Sequence, residues 1–223
     1  MHDPGLSHGQ VRGLFGCATD GSASHATLWI YLVTVVSLIA AASPASAHSN
    51  PGLALGFGSG FSHPISGLDH ILAMIAVGIW GTQLGDPAIW MLPVTFPLMM
   101  SVGGALGVRG VAMPGVEVGI VASALVLGSM IALEARPPLW IAAAIVAAFA
   151  VFHGHAHGRE LPKAAYPLAY GVGFVVSTGL LHLSGITIGL IHRWPIGARV
   201  LRGTGVAIGV AALYLFYDLL SGA

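Results

Sequence analysis

The sequence predicts an all-α polytopic membrane protein, a bundle of six transmembrane helices preceded by a cleavable signal peptide. Three observations carry that expectation. Of the 223 residues, 56% are hydrophobic and only 7% are charged, where a soluble domain holds roughly 25% charged residues. Six apolar runs approach the length of about 20 residues that a helix needs to cross a bilayer. Proline, glycine and the few charges fall at the ends of those runs, where helices stop. Basic and acidic residues balance at 8 each, so no basic surface for nucleic acid is expected.

The apolar segment Leu28 to Ala42 is short and runs into Ser43-Pro-Ala45-Ser-Ala47, an A-x-A pattern of the kind read by signal peptidase. Cleavage before His48 divides the chain into residues 1–47, an N-terminal extension with signal peptide, and residues 48–223, the six-span membrane domain. Residues 1–27 carry Arg12 as their one cation, and a start downstream of Met1 would account for that. An uncleaved first helix is the other reading. Cys17, the single cysteine, falls in the removed segment, which leaves the mature chain without disulfides or thiolate ligands.

Residues 49–62 are apolar but contain four glycines, which form helix poorly in water. A loop or re-entrant lead-in is expected there. The spans follow at 64–84, 88–108, 114–134, 138–157, 165–190 and 200–220. Their breaks are Gly85-Asp86-Pro87, Arg109 to Pro114, Arg136-Pro-Pro138, Gly158 to Pro162, and Arg193-Trp-Pro195. The pairs Gly81/Gly85, Gly103/Gly107, Gly115/Gly119, Gly185/Gly189 and Gly205/Gly209 have the small-xxx-small spacing that lets helix backbones approach closely in lipid.

Cations set the orientation. Arg193, Arg199 and Arg202 form the densest positive group and are expected in the cytoplasm, between the fifth and sixth spans. Counting back, the mature amino terminus lies outside. Signal cleavage would leave it on that side too. Arg159 and Lys163 then fall in an outer loop, against the trend.

Ionisable side chains are expensive inside a bilayer and mark pathways or sites. On this topology His63-Pro-Ile-Ser-Gly-Leu-Asp69-His70 opens the first span on the outer side. Phe152-His153-Gly-His155-Ala-His157-Gly-Arg159-Glu160 closes the fourth there, and Glu117 starts the third. Three distant patches of metal-ligating residues are thus expected at one level. His153 and His157 share a helix face. His155 points elsewhere if the helix persists, unless Gly154 and Gly158 loosen the turn. Asp69 and His70 cannot both point inward, so one is a ligand and the other acts from behind it, a carboxylate orienting an imidazole. His182, deep in the fifth span, is either a second waypoint for the ion or a polar contact between packed helices. Glu117 is either a ligand or a first-turn charge that suits the helix dipole. His48, once freed, offers an α-amine and a ring nitrogen to one ion.

Imidazole with carboxylate and no thiolate suits nickel(II), cobalt(II) or zinc(II) and disfavours copper(I). No tightly bound cofactor is expected, and no G-x-x-x-x-G-K-[ST] phosphate loop is present, so nucleotide energy would come through a partner. The leading reading is uptake of a divalent transition-metal ion, driven by its electrical gradient or by coupled protons. The rival is a metal-dependent intramembrane hydrolase with a His/Asp zinc site, assisted by Ser66 or Ser177. Metal sensing or accessory metal delivery is a third reading. The H-E-x-x-H arrangement of a metalloprotease is missing.

The two histidine motifs, with Leu72-Ala-Met-Ile-Ala-Val-Gly78 after the first, resemble those of the HupE/UreJ family. These are membrane proteins associated with hydrogenase and urease maturation and regarded as nickel permeases. The resemblance covers roughly residues 48–190. It implies a cleaved signal, a six-helix bundle and uptake of nickel or cobalt across the inner membrane, with hydrogenase or urease maturation proteins as partners. The residues it assigns to the metal are His63, Asp69, His70, His153, His155 and His157. A second nickel/cobalt permease family has four residues between its histidine and Asp-His. Here Pro64 to Leu68 make five, so that family's mechanism does not transfer.

Overall fold

The structure, a computed structural model, describes residues 51–160 and 166–221, with side chains over 55–159 and 166–221. The expected signal segment and cleavage site, His48, Lys163 and the Glu160 side chain lie outside the described residues. The helices are α1 (Pro51–Ser66), α2 (Leu68–Leu84), α3 (Ala88–Val108), α4 (Val116–Ala132), α5 (Leu139–Glu160), α6 (Pro167–Gly189) and α7 (Pro195–Ser221), with a 3-10 turn at Leu190–Arg193. There is no strand among the described residues. Helices α3, α5, α6 and α7 are long and apolar enough to cross a membrane, and α1 with α2 would add one bent span. Helix α4 is apolar but has 17 residues, the lower end of the spanning range.

The helix ends follow from local chemistry. Gly85 at φ 80° ends α2 and Gly115 at φ 69° precedes α4, a backbone region open to glycine at no steric cost. Pro167 and Pro195 begin α6 and α7, where a missing N–H has no helical partner to lose.

Two expectations need correction, and one open alternative is decided. Residues 51–66 are helical, which overturns the loop expected there, while the re-entrant lead-in, the other half of that expectation, is compatible with the sharp bend that follows. Helix α1 meets α2 at a bend of 81° over Gly67, so the first span starts at an elbow and not at Pro64. Glycine is a poor helix former when its backbone faces water. Here a Cβ added at Gly60 would strike the Tyr170 carbonyl, and one at Gly173 the Phe57 carbonyl. Close backbone packing between α1 and α6 offsets the entropy that glycine costs. The second correction concerns Arg199 and Arg202, which lie on α7 and not in a loop, because Pro195 starts that helix early. The open alternative concerns α5, which runs unbroken through Gly154 and Gly158. Added Cβ atoms there would meet the carbonyls of Met100 and Gly104 on α3, so these glycines serve contact and do not loosen the turn.

Helix α2 is the centre of the bundle and packs against α3, α4, α6 and α7. Ala73, Met74, Ala76, Val77, Ile79 and Trp80 are fully buried along it. The largest remaining interfaces pair α3 with α5, α4 with α7, and α1 with α6. Outward faces are apolar: Val94, Leu98 and Val102 on α3, and Val206, Val210 and Leu213 on α7, are exposed. That is the surface a bilayer solvates. At one end, carbonyls in the last turn of α4 and just beyond it accept from side chains of neighbouring helices, as suits a helix end short of helical donors. Trp80 Nε1 donates to Ala135 O (3.0 Å), Gln83 Nε2 to Ile131 O (3.3 Å) and Arg202 Nε to Ala132 O (3.1 Å). The histidine motifs gather at the opposite end.

Candidate metal site

The elbow at Gly67 decides how the first motif is presented. Helix α1 ends with His63 in its last turn, and α2 begins with Asp69 and His70. The axes turn by 81°, so the two halves of the motif are carried by helices of different direction. The last turns of α5 bring His153 and His157, one helical turn apart on one face.

The four rings form a continuous group. His70 lies 4.7 Å from His153 and 4.6 Å from His157 between ring centroids, and His157 lies 4.7 Å from His63. His153 is fully buried and His157 nearly so. Phe174 closes the group from α6, 4.5 Å from His157, and Tyr170 stands 6.0 Å from His63. Residues separated by some ninety positions therefore meet in one group, buried on the α5 side and half-buried at His63 and His70. Among the described residues, no group of three or more His, Cys, Asp or Glu has the arrangement of a formed metal cage. The imidazoles meet largely edge to face.

Hydrogen bonds divide the ring nitrogens into held and available ones. A carboxylate and a carbonyl can only accept, so each imidazole donates to them. His70 Nδ1 donates to Asp69 Oδ1 at 2.9 Å, the carboxylate standing behind the ring. That leaves His70 Nε2 buried and without a hydrogen bond among the described residues. His153 Nδ1 and both nitrogens of His157 are in the same condition. A buried polar atom without a partner is costly, and an unprotonated ring nitrogen among these is a competent ligand for a cation.

The other expected residues sit apart from this group. His155 is fully buried but faces away, donating from Nε2 to Val111 O at 2.7 Å. It ties α5 to the α3–α4 connection, the outcome expected for an unbroken helix. Glu117 is exposed in the first turn of α4, beside a groove shared with Val116, Ala156 and Arg159. His182 is buried in α6 and donates from Nδ1 to Met74 O at 2.9 Å, one helical turn past His70. Its Nε2 has no hydrogen bond among the described residues. Ser177 is buried in α6 with no hydrogen bond to Oγ among the described residues.

Sequence reasoning passed over two neighbours of the group. Phe96 of α3 is fully buried with its ring 5.3 Å from His153 and 5.4 Å from His182, so it stands between them. Ser123 of α4 places Oγ 3.0 Å from His153 Nε2. A lone phenylalanine or serine in an apolar helix carries no pattern that would single it out.

With this geometry in place, the similarities to known proteins can be read. A family model described as HupE / UreJ protein matches residues 36–215. Protein HupE of Rhizobium leguminosarum bv. viciae is 41% identical over 186 residues, covering 83% of this chain and 97% of that protein. No solved structure matches the chain.

Proposed function

The chain belongs to the HupE/UreJ family, and from that premise we propose that it takes up a divalent transition-metal ion, nickel or else cobalt, across the bacterial inner membrane. The ion serves metalloenzyme maturation, with hydrogenase or urease maturation proteins as the receiving partners. One observation carries the reading: His63, His70, His153 and His157, from three separate segments, meet in one group, and His70 Nε2, His153 Nδ1 and both nitrogens of His157 have no hydrogen bond among the described residues.

In this reading α2 to α7 make six crossings, and α1 lies against their outer ends. Arg193, Arg199 and Arg202 mark the cytoplasmic end, and the mature amino terminus is periplasmic after removal of a signal peptide. The hydrated ion loses water to the outer imidazoles, with Asp69 supplying charge from behind His70. Phe96 separates this group from His182, so transfer inward requires that ring to swing aside. His182 Nε2 then receives the ion before release. The membrane potential contributes about 2.3 kcal/mol per charge per 100 mV, enough to pull a divalent cation inward without nucleotide hydrolysis.

The test is flux. Purified protein in sealed proteoliposomes is expected to accumulate radioactive nickel saturably and faster with an inside-negative potential. Metal-dependent turnover of a lipid or amide with no flux would replace transport with a hydrolase.

The elbow offers a second check. A Cβ on Gly67 would lie 2.7 Å from Asp69 Oδ1 and 2.9 Å from His70 Nδ1, on the hydrogen bond itself. Gly67→Ala is expected to separate the pair and lower uptake at limiting nickel by roughly 10- to 100-fold, the range for losing a ligand's supporting partner. Parental uptake in that variant would show that Asp69 does not orient the ring.

A further inference from the structure

We propose that Ser123 is a positioning residue for the metal path: its hydroxyl holds His153 as the Nε2–H tautomer, so that Nδ1 is the nitrogen offered to the ion. The inference rests on the transport reading and adds to it a residue on α4 that neither histidine motif contains.

A serine hydroxyl has one proton to donate. Ser123 Oγ lies 2.6 Å from Ile120 O, and two oxygens that close attract only if a proton lies between them. The carbonyl has none, so the hydroxyl proton is committed to Ile120. The remaining contact of Ser123 Oγ is His153 Nε2 at 3.0 Å. With the hydroxyl proton already used, that contact is a hydrogen bond only if Nε2 carries the hydrogen and donates. In a neutral imidazole the other nitrogen then bears the lone pair. It is His153 Nδ1, buried and without a hydrogen bond among the described residues.

His70 is set the opposite way. Asp69 accepts its Nδ1–H, which leaves Nε2 as the lone-pair nitrogen. The two rings stand 4.7 Å apart at 89°, each held by a different partner and each with its unprotonated nitrogen free. If His153 took the other tautomer, its Nδ1 would present an N–H dipole and repel a cation. Ser123 removes that state. Burial makes the control strong, because both Ser123 and His153 are fully enclosed and no water competes for the imidazole proton.

The test combines spectroscopy and transport. In metal-free protein labelled with 15N-histidine, the His153 signal is assigned by its loss in His153→Gln. The parent is expected to show Nε2–H. Ser123→Ala, which removes one oxygen and keeps the helix contact, is expected to mix the tautomers. The same variant should raise the apparent KM for nickel uptake by roughly 10- to 100-fold, with the maximal rate changed less. Ser123→Thr retains the hydroxyl and is expected to restore both readouts. An Nδ1–H parent signal, or Ser123→Ala with the parental tautomer and KM, overturns the proposal. Absence of nickel flux in the parent counts against transport itself, while the metal-free spectrum decides what Ser123 does.

Discussion

His157→Ala is expected to reduce saturable nickel uptake to that of cells lacking the protein, a loss greater than about 100-fold. His157 is the ring that both His63 and His70 touch, so it joins α1 to the α2–α5 pair. Both its nitrogens lack a hydrogen bond among the described residues, and truncation therefore breaks no such internal bond of the fold. Loss of a partner behind a ligand costs roughly 10- to 100-fold, and loss of a ligand itself should cost more. His192→Ala is the control. Its ring donates to Gly189 O at 2.9 Å in the 3-10 turn, at the other end of the bundle, and uptake there should match the parent. Radioactive nickel accumulation at equal membrane expression measures both. A His157→Ala variant retaining half the parental uptake would remove the imidazole group from the path.

Gly154→Val is expected to lower stability by about 3 kcal/mol, the upper part of the usual range for overpacking. Gly154 faces the Met100 carbonyl, Gly158 faces that of Gly104, Gly103 that of Val151 and Gly107 that of His155. Four glycines thus let α3 and α5 touch backbone to backbone. Side chains can change rotamer to make room, but a carbonyl inside a hydrogen-bonded helix cannot. The branched side chain must push the helices apart, carrying His153 and His157 with it. Gly179→Ala makes a matched control, because its added Cβ meets nothing within 4 Å. Replacing a helix-interior glycine there is expected to be neutral or to stabilise by up to about 1 kcal/mol. Thermal or denaturant unfolding in detergent compares the two. Equal stability of Gly154→Val and the parent would mean that the α3–α5 contact is not as close as described.

Much of the helical framework is legible in the residues. Gly85-Asp86-Pro87 and Arg136-Pro-Pro138 separate helices where composition indicates, because glycine and proline act through their own backbones. The pair His153 and His157 needs only helix periodicity. Their approach to His70 follows from counting crossings, since alternating spans return the chain to the same side. Residues 51–66 escape this reasoning. Their glycines look unfavourable until the facing backbone of α6 is in view, and nothing local announces that neighbour. The early start of α7 escapes it too, because Arg199 and Arg202 look like loop charges when only their polarity is weighed.

Residue types alone give an all-helical framework of apolar helices with a set of histidines and one aspartate whose chemistry suits metal, because hydropathy, helix breaking and ligand chemistry belong to residue types. Which nitrogens are held and which are available follows from how the helices pack. Packing turned His155 toward Val111 and His182 toward Met74, set Asp69 behind His70, and put Phe96 and Ser123 beside His153. Those assignments depend on which helices pack together and at what rotation. Packing is fixed by close fit among α2, α3, α4, α5 and α6 at once, and no stretch of the chain contains that information alone.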